Sequence, residues 1–542
     1  MSEIAPKGGL TRAVGSMATG TALSRATGVL RVLVLAYVLG FGPLADAYNL
    51  ANTIPNMLYD VVLGGVLGAT FIPVFIERLT NTSEREAWKS ISAVVSLSVL
   101  VLGVTTVIFL ITAPWLIDGF TVFDHVHLAA NPNQLENQRA VATTLLRWFV
   151  PQIFLYGLLS IGGALLNVRR RFGAPMWVPI ANNVVCIGVL LIFAVVAPSP
   201  TLKSVSASPS QLALLGAGTT AGVLVQFLLL TPSLAKARLG RLRWRIDLKD
   251  EAVRAIVRLG SWTFGFVVLN QVALFVVIAL AYSVGTDAPV SSYTYAYAFM
   301  QMPYAVVAIS VMSAVTPDLA EHHTKEDDTA FIARFGTGLR AVLAIIIPAS
   351  VAMFVLARPL IALLLGHGAA NATMTEQTGT SLAELSLGLV GFTVYQYVIR
   401  ALQAMRRTKV AFVLYVIQNT LTVILAAILV GPLKLAGVSL AVSVAYSIGA
   451  IVGLGLLHHW FGRLGPARCY RPLGRICAAS AVMGIAVLIV SNLSTAQSGF
   501  GLFLRVLCSL LVGGIGYLAV ISFLGSRTER RGPSLQDSPE DR

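Results

Sequence analysis

About fourteen stretches of this sequence stay apolar for roughly twenty residues, the length a helix needs to cross about 30 Å of hydrocarbon. They fall at 16–40, 47–75, 91–116, 141–166, 175–197, 211–233, 255–284, 291–316, 338–365, 382–404, 409–430, 435–458, 474–492 and 500–524. Of the 542 residues, 56% are hydrophobic and only 12% are charged. A water-soluble chain carries about twice that charge, so this one lacks the polar surface to cover a soluble globule. The chain therefore reads as an all-α integral membrane protein. The run after Lys7 and Arg12 continues past signal-peptide length without a clear cleavage site, which predicts a retained first helix.

The loops test this division independently, because alternate ones are basic. One set holds Arg78, Arg85 and Lys89; Arg169, Arg170 and Arg171; the run from Lys236 to Arg258; Lys325, Arg334 and Arg340; Arg406, Arg407 and Lys409; and Arg463, Arg468, Arg471 and Arg475. The tail adds Arg527, Arg530 and Arg531. The other set is nearly bare, with Lys203 and Lys434 its clearest positives, and 41–46, 285–290, 366–381 and 493–499 carry no Lys or Arg. Positive charge collects in cytoplasmic loops, so both termini are expected in the cytoplasm. The net charge of +15 then belongs to those loops and implies no nucleic-acid partner.

Six expected segments follow: a cytoplasmic N-terminus over 1–15, six spans over 16–235, a basic cytoplasmic linker over 236–254, six spans over 255–460, two spans over 461–525, and a disordered tail over 526–542. The segment 234–258 reads as basic and interfacial. The loop 117–138 holds Asp118, Asp124, His125 and His127; it reads as an ordinary polar external loop and not as a metal site. Cys186, Cys469, Cys477 and Cys508 form no C-x-x-C pair. Spans 47–75 and 291–316 share a pattern, with Ala51, Pro55 and Pro73 in one and Ala298, Pro303 and Pro317 at or near the other. Each is second in a block of six, and repeated halves are common in transporters.

Polar residues inside the spans mark the candidate site, since charge in hydrocarbon is costly and usually faces a cavity. The first span carries Arg25 and Arg31, about 120° and 9 Å apart on a helix, with Gly28 between them. Arg25 lies near enough to the cytoplasmic end to snorkel; Arg31 is deeper. The second span carries Asn49, Asn52 and Asn56 at i, i+3 and i+7 on one face, continued by Asp60. This stripe is expected to line a cavity, the other reading being interhelical glue. Asp60 is expected either to pair with Arg31 or to hold a coupling cation. The mid-span amides Asn182, Asn183, Asn270, Gln271, Gln396, Gln418 and Asn419 read as structural hydrogen bonds, with Asn270, Gln271 and Asn419 also open as cation contacts. No Walker A, G-x-S-x-G or H-E-x-x-H motif is present, so a transporter is expected and not an enzyme or ATP-driven pump.

Several of these residues resemble the MurJ (MviN) family of lipid II flippases, within the multidrug/oligosaccharidyl-lipid/polysaccharide exporter superfamily. The resemblance rests on Leu23-Ser-Arg-Ala-Thr-Gly28 with Arg31, Leu39-Gly with Ala45-Asp-Ala47, Ile54-Pro-Asn56, Phe71-Ile-Pro-Val-Phe75, and Gly431 to Leu440. It implies two six-helix lobes in a V around a central cavity, plus two C-terminal helices grooved for a lipid tail. It also implies a cavity whose arginines, here Arg25 and Arg31, hold a pyrophosphate, and lobes that rock in alternating access. The implied substrate is lipid II, an undecaprenyl-diphosphate sugar-peptide, moved from the inner to the outer leaflet of a bacterial inner membrane. Coupling to Na+, H+ or the membrane potential is expected, with no bound cofactor. The implied partners are membrane lipids and cell-wall synthesis machinery, with the chain a monomer. Some positions depart from the family pattern: Tyr59 and Asp60 stand where it often has an arginine, Leu63-Gly-Gly65 where a glutamate is found, and Ala298 where the eighth span has an arginine. A cation-coupled drug antiporter of the same superfamily is the alternative, since Asp60 suits a cationic substrate and the paired arginines oppose one. A membrane glycosyltransferase needs an external domain larger than 117–138.

Overall fold

The computed structural model describes residues 7–60, 68–124, 132–169, 171, 173–237, 239–285, 288–368, 372–462 and 466–529. Leu63-Gly-Gly65, Arg170, His125 and His127, and the tail from 530 lie outside the described residues. The regular secondary structure of the described residues is all helical, without strands. In chain order the helices are α1 (Lys7–Leu39), α2 (Pro43–Tyr59), α3 (Gly68–Asn81), α4 (Glu84–Phe120), α5 (Pro132–Phe149), α6 (Pro151–Val168), α7 (Gly173–Val196), α8 (Leu202–Ser206), α9 (Pro209–Ala235) and α10 (Glu251–Tyr282). Then come α11 (Pro289–Pro303), a π-helical turn (Tyr304–Ala308), α12 (Ile309–Thr324), α13 (Asp328–Leu365), α14 (Ala372–Ala404), α15 (Thr408–Phe461), α16 (Pro466–Asn492) and α17 (Gly499–Glu529).

Among the described residues, eleven helices are long and apolar enough to cross a membrane, fewer than the fourteen spans expected. One difference has a local cause. The expected spans 409–430 and 435–458 run together in α15, whose backbone breaks at Lys434 with φ 53°, beside the Gly431-Pro432 pair. The expected span 47–75 includes residues 61–67, which lie outside the described residues. The span 255–284 lies in α10, a continuous helix of 32 residues.

Helix starts follow from ordinary capping chemistry, in which a side-chain oxygen accepts an otherwise unpaired N–H. Ser83 accepts from Glu86 N at the start of α4, Asp250 from Ala252 N at α10, and Asp327 from Ala330 N at α13. Prolines mark the irregular points. In α11 a π turn follows Pro303 at once.

The chain divides into two compact units. The first is Met1–Thr294 with His367–Met374. In it α1 runs alongside α7, where Asn183 Nδ2 donates to Ser24 O (3.1 Å) and Thr27 Oγ1 (3.0 Å). Gly222 of α9 sits against Asn182 and Cys186 of α7, where a Cβ would collide; small residues allow such close helix approach in membranes. α10, placed in the second lobe by the sequence reading, packs here on α3 and α4 through Ala252, Val253 and Ile256 against Phe75, Trp88 and Ile91. Arg78 reaches Glu251 at 2.9 Å. The second unit is Tyr295–Gly366 with Thr375–Arg542. There Ser350 and Ser443 donate to the carbonyls of Ser386 (2.6 Å) and Glu384 (2.7 Å), tying α13 and α15 to α14. Leu356 of α13 packs on Met483 and Val487 of α16, and Tyr517 of α17 donates to Ala344 O (2.6 Å).

Candidate functional site

The site builds up from the first helix. Arg25 is exposed and Arg31 half-buried, as their separation around the helix requires. Three neutral groups surround the Arg31 guanidinium: Tyr48 of α2, Tyr156 of α6, and the Cys186 thiol of α7, which it hydrogen-bonds. Cys186 Sγ in turn donates to Asn182 Oδ1 at 3.4 Å. Tyr48 Oη shares a hydrogen bond with Thr219 Oγ1 (2.9 Å) and lies edge-on to Phe149. Among the described residues no carboxylate lies within ion-pair distance of Arg31. An arginine desolvated without a counter-charge is expensive, and an anion is the ligand that would relieve it.

The second helix corrects two expectations. Asn49 does not line an open cavity: it is 5% exposed, and its Nδ2 donates to Ser291 Oγ of α11 at 2.8 Å. One turn earlier Asp46, fully buried, accepts from Ser291 N (2.7 Å) and Val290 N (3.3 Å). Together they fasten the start of α2 to the first turn of α11, so the upper part of the stripe is interhelical glue. The expected ion pair of Asp60 with Arg31 is also absent. Asp60 is exposed and meets Gln271 of α10 as its side-chain hydrogen-bond partner. The arginine faces α6 and α7, whereas the carboxylate faces α10. Tyr59 stacks edge-on against Tyr156 with ring centroids 4.5 Å apart, so Tyr156 joins the surroundings of Arg31 to the end of α2.

Of the remaining stripe, Asn52 and Asn56 are half-buried, and Asn56 Nδ2 returns to Asn52 O at 2.8 Å. Asn270 is half-buried beside Gln271, whose Oε1 is buried and has no hydrogen-bond donor. Asn419, in the second unit, donates to Tyr415 O within its own helix at 2.9 Å, a structural bond. The structure thus places Arg31, Asn52, Asn56, Asp60, Asn270 and Gln271 on helices of the first unit, with Asp60 joined to Gln271 and not to Arg31, and with Arg25 exposed. Tyr48, Tyr156 and Cys186 escaped the sequence reading because aromatic and thiol side chains in apolar runs carry no cost that singles them out.

Prolines within long apolar helices, buried amides that lace them together, and an arginine left without a counter-charge mark a multi-span helical membrane protein. Solved structures agree on the fold. An inward-facing multidrug resistance MATE family transporter of the MOP superfamily aligns with a TM-score of 0.66 at 17% identity, over 81% of this chain and 95% of its own. A structure described as lipid II flippase MurJ in an inward closed conformation aligns with a TM-score of 0.76 at 22% identity, over 95% and 99%. The family model described as lipid II flippase MurJ matches residues 35–509, and the chain belongs to that family. A probable lipid II flippase MurJ of Vibrio cholerae is 26% identical over 524 residues, 94% of each chain. The lipid II flippase MurJ of Burkholderia cenocepacia is 28% identical over 387 residues, 70% of this chain and 71% of its own.

Proposed function

We propose that this multi-pass membrane protein moves lipid II, the undecaprenyl-diphosphate-linked sugar-peptide, from the inner to the outer leaflet of a bacterial inner membrane by alternating access. The observation that carries the reading is Arg31, a cation bonded to the neutral Cys186 thiol, with Tyr48 and Tyr156 near it, and unpaired by any described carboxylate. A diphosphate cannot cross hydrocarbon unaided, and a guanidinium offers it permanent charge and paired donors. Relatives that carry the same family's name support the substrate. The test is complementation: a bacterium depleted of its own lipid II flippase regains growth when it expresses this chain. Failure at normal membrane levels removes the lipid II assignment.

The orientation is inferred from the alternating basic loops, which put both termini and the 236–254 linker in the cytoplasm. In intact cells, with the native cysteines removed, a cysteine at position 42 is expected to take a membrane-impermeant label and one at position 243 to resist it. Labelling at 243 would reverse the topology.

Coupling is assigned to the Asp60–Gln271 pair. Asp60 brings a carboxylate, and Gln271 Oε1 is a buried oxygen with no donor; hard cations such as Na+ take oxygen ligands of this kind. Asp60→Asn is expected to keep the fold and to cut flipping about tenfold or more, equivalent to about 1.4 kcal/mol or more. The residual flipping should no longer change when the Na+ or H+ gradient is collapsed. Full, gradient-dependent activity in Asp60→Asn removes Asp60 from coupling.

A further inference from the structure

On the basic side of the first unit, residues 239–247 run without regular secondary structure along the first turns of α4. Arg243 N donates to Ser92 Oγ (3.2 Å) and Arg245 N to Ser96 Oγ (3.1 Å). Two residues of extended chain and four of helix both advance about 6 Å, so the repeat of one fits the repeat of the other. Gly240 lies flat on the Trp88 ring, where any Cβ would collide. Along this segment Arg241, Arg243 and Arg245 alternate with Leu242, Trp244, Ile246 and Leu248. Those four apolar side chains are 44%, 64%, 53% and 65% exposed, which suits a membrane interface and not water.

A pocket of about 750 Å³ opens between the segment and α4, lined by Arg85, Lys89, Arg241 and Arg243 above Trp88 and Ser92. Its positive charge is not cancelled. Glu84, also in its lining, is held by Arg169 at 3.2 Å, and Asp247 by Arg245 at 2.6 Å. The Arg245 guanidinium keeps the Asp247 carboxyl below its ordinary range, so that pair stays internally neutral. Among the described residues no carboxylate lies within ion-pair distance of Arg85, Lys89, Arg241 or Arg243.

The pocket continues into an apolar groove. Trp244 also borders a second cavity of about 530 Å³ walled by Val99, Gly103, Val107 and Phe154. Gly103 and Phe154 pass on to a third of about 550 Å³ that reaches Trp148 and Leu224. From Ser92 to Gly103, α4 rises about 16 Å, half the thickness of the hydrocarbon and so the depth of one leaflet.

Four unpaired cations at the mouth of a leaflet-deep apolar groove match one chemistry. We propose that this face of the first unit, lined by none of Tyr48, Tyr156 and Cys186, binds an anionic glycerophospholipid, its phosphate on Arg85, Lys89, Arg241 and Arg243 and an acyl chain past Trp244 toward Gly103. A sugar-bearing head fits less well, because of the neutral side-chain donors in the lining Ser92 is already engaged by Trp88 O and Arg243 N and Trp88 Nε1 is buried out of reach.

The test uses the purified full-length chain in micelles doped with phospholipid brominated on its acyl chains, which quenches nearby tryptophan. The Trp244 signal is the difference between the chain and Trp244→Phe. Brominated phosphatidylglycerol is expected to quench it at far lower mole fraction than brominated phosphatidylcholine. Each basic residue near an anionic headgroup is worth roughly fivefold, so Arg241→Gln/Arg243→Gln should weaken the anionic lipid about 25-fold and leave the zwitterionic one unchanged. Gly103→Leu projects into open space and favours the helix; it should reduce quenching by both lipids without lowering thermal stability. Equal quenching by the two lipids overturns the proposal. So does displacement by millimolar inorganic phosphate, which marks a soluble-anion site, or by undecaprenyl diphosphate at lower concentration than phosphatidylglycerol, which gives the groove to the polyprenyl lipid.

Discussion

Arg31→Ala is expected to abolish complementation of a flippase-depleted strain while the protein accumulates in the membrane at its normal level. Two energies act in opposite directions at this residue. A charge-assisted contact with a desolvated phosphate typically carries on the order of 2–5 kcal/mol, a loss of roughly thirtyfold to several thousandfold. Folding gains nothing comparable from the guanidinium, because its neighbours Tyr48, Tyr156 and Cys186 are neutral and an uncompensated cation opposes burial. Arg31→Ala should therefore melt no lower than the parent chain even as transport fails. Arg31→Lys keeps the charge and loses the planar fork, so partial growth is expected. Arg25 is exposed, water screens it, and Arg25→Ala should be milder. Growth of Arg25→Ala/Arg31→Ala at normal expression would remove the anionic headgroup from the mechanism and favour the cation antiporter.

The same energetics decide how much of this molecule is legible in its sequence. The bilayer penalises every polar group in a span, so spans and basic loops stand out, and Arg31 stands out from its own helix. Breaks are legible where proline or glycine causes them, as at Pro303 and at Gly431-Pro432 before Lys434. What the sequence hides is partnership. Asn49 and Ser291 are 242 residues apart, and the helical periodicity of the Asn stripe cannot say whether its face meets another helix or a cavity. Asp60 and Arg31 sit on neighbouring helices in the chain, which made an ion pair the natural expectation. α10 supplies Gln271 instead, and nothing local in either sequence stretch encodes that approach. The segment 234–258 was readable as basic and interfacial. Its seat on Ser92 and Ser96 was not, since serines inside an apolar helix usually bond their own backbone.

Asp46→Ala is expected to produce the largest loss of stability of any single change considered for this chain. Its carboxylate is fully buried and accepts the backbone N–H groups of Val290 and Ser291, two donors that the first turn of α11 cannot satisfy within the helix. The negative charge also faces the positive end of that helix. Pro289, at the first position of α11, has no N–H, so these are the first donors the helix presents. Hydrogen bonds to a charged acceptor contribute about 1.5–3 kcal/mol each, which puts the loss at roughly 3–6 kcal/mol against the 5–15 kcal/mol that holds a typical domain together. Asp46→Asn retains a carbonyl oxygen for one of the two donors and should lose about half as much. Asn49→Ala removes the neutral bond to Ser291, a loss of about 1 kcal/mol. Thermal unfolding of the purified variants in detergent measures the order, Asp46→Ala lowest, then Asp46→Asn, then Asn49→Ala. Arg31→Ala should stand apart from all three, inactive and undiminished in stability. If Asp46→Ala melts with the parent chain, the clamp between α2 and α11 does not hold the first unit together, and the second-span polar stripe would have to be explained by transport instead.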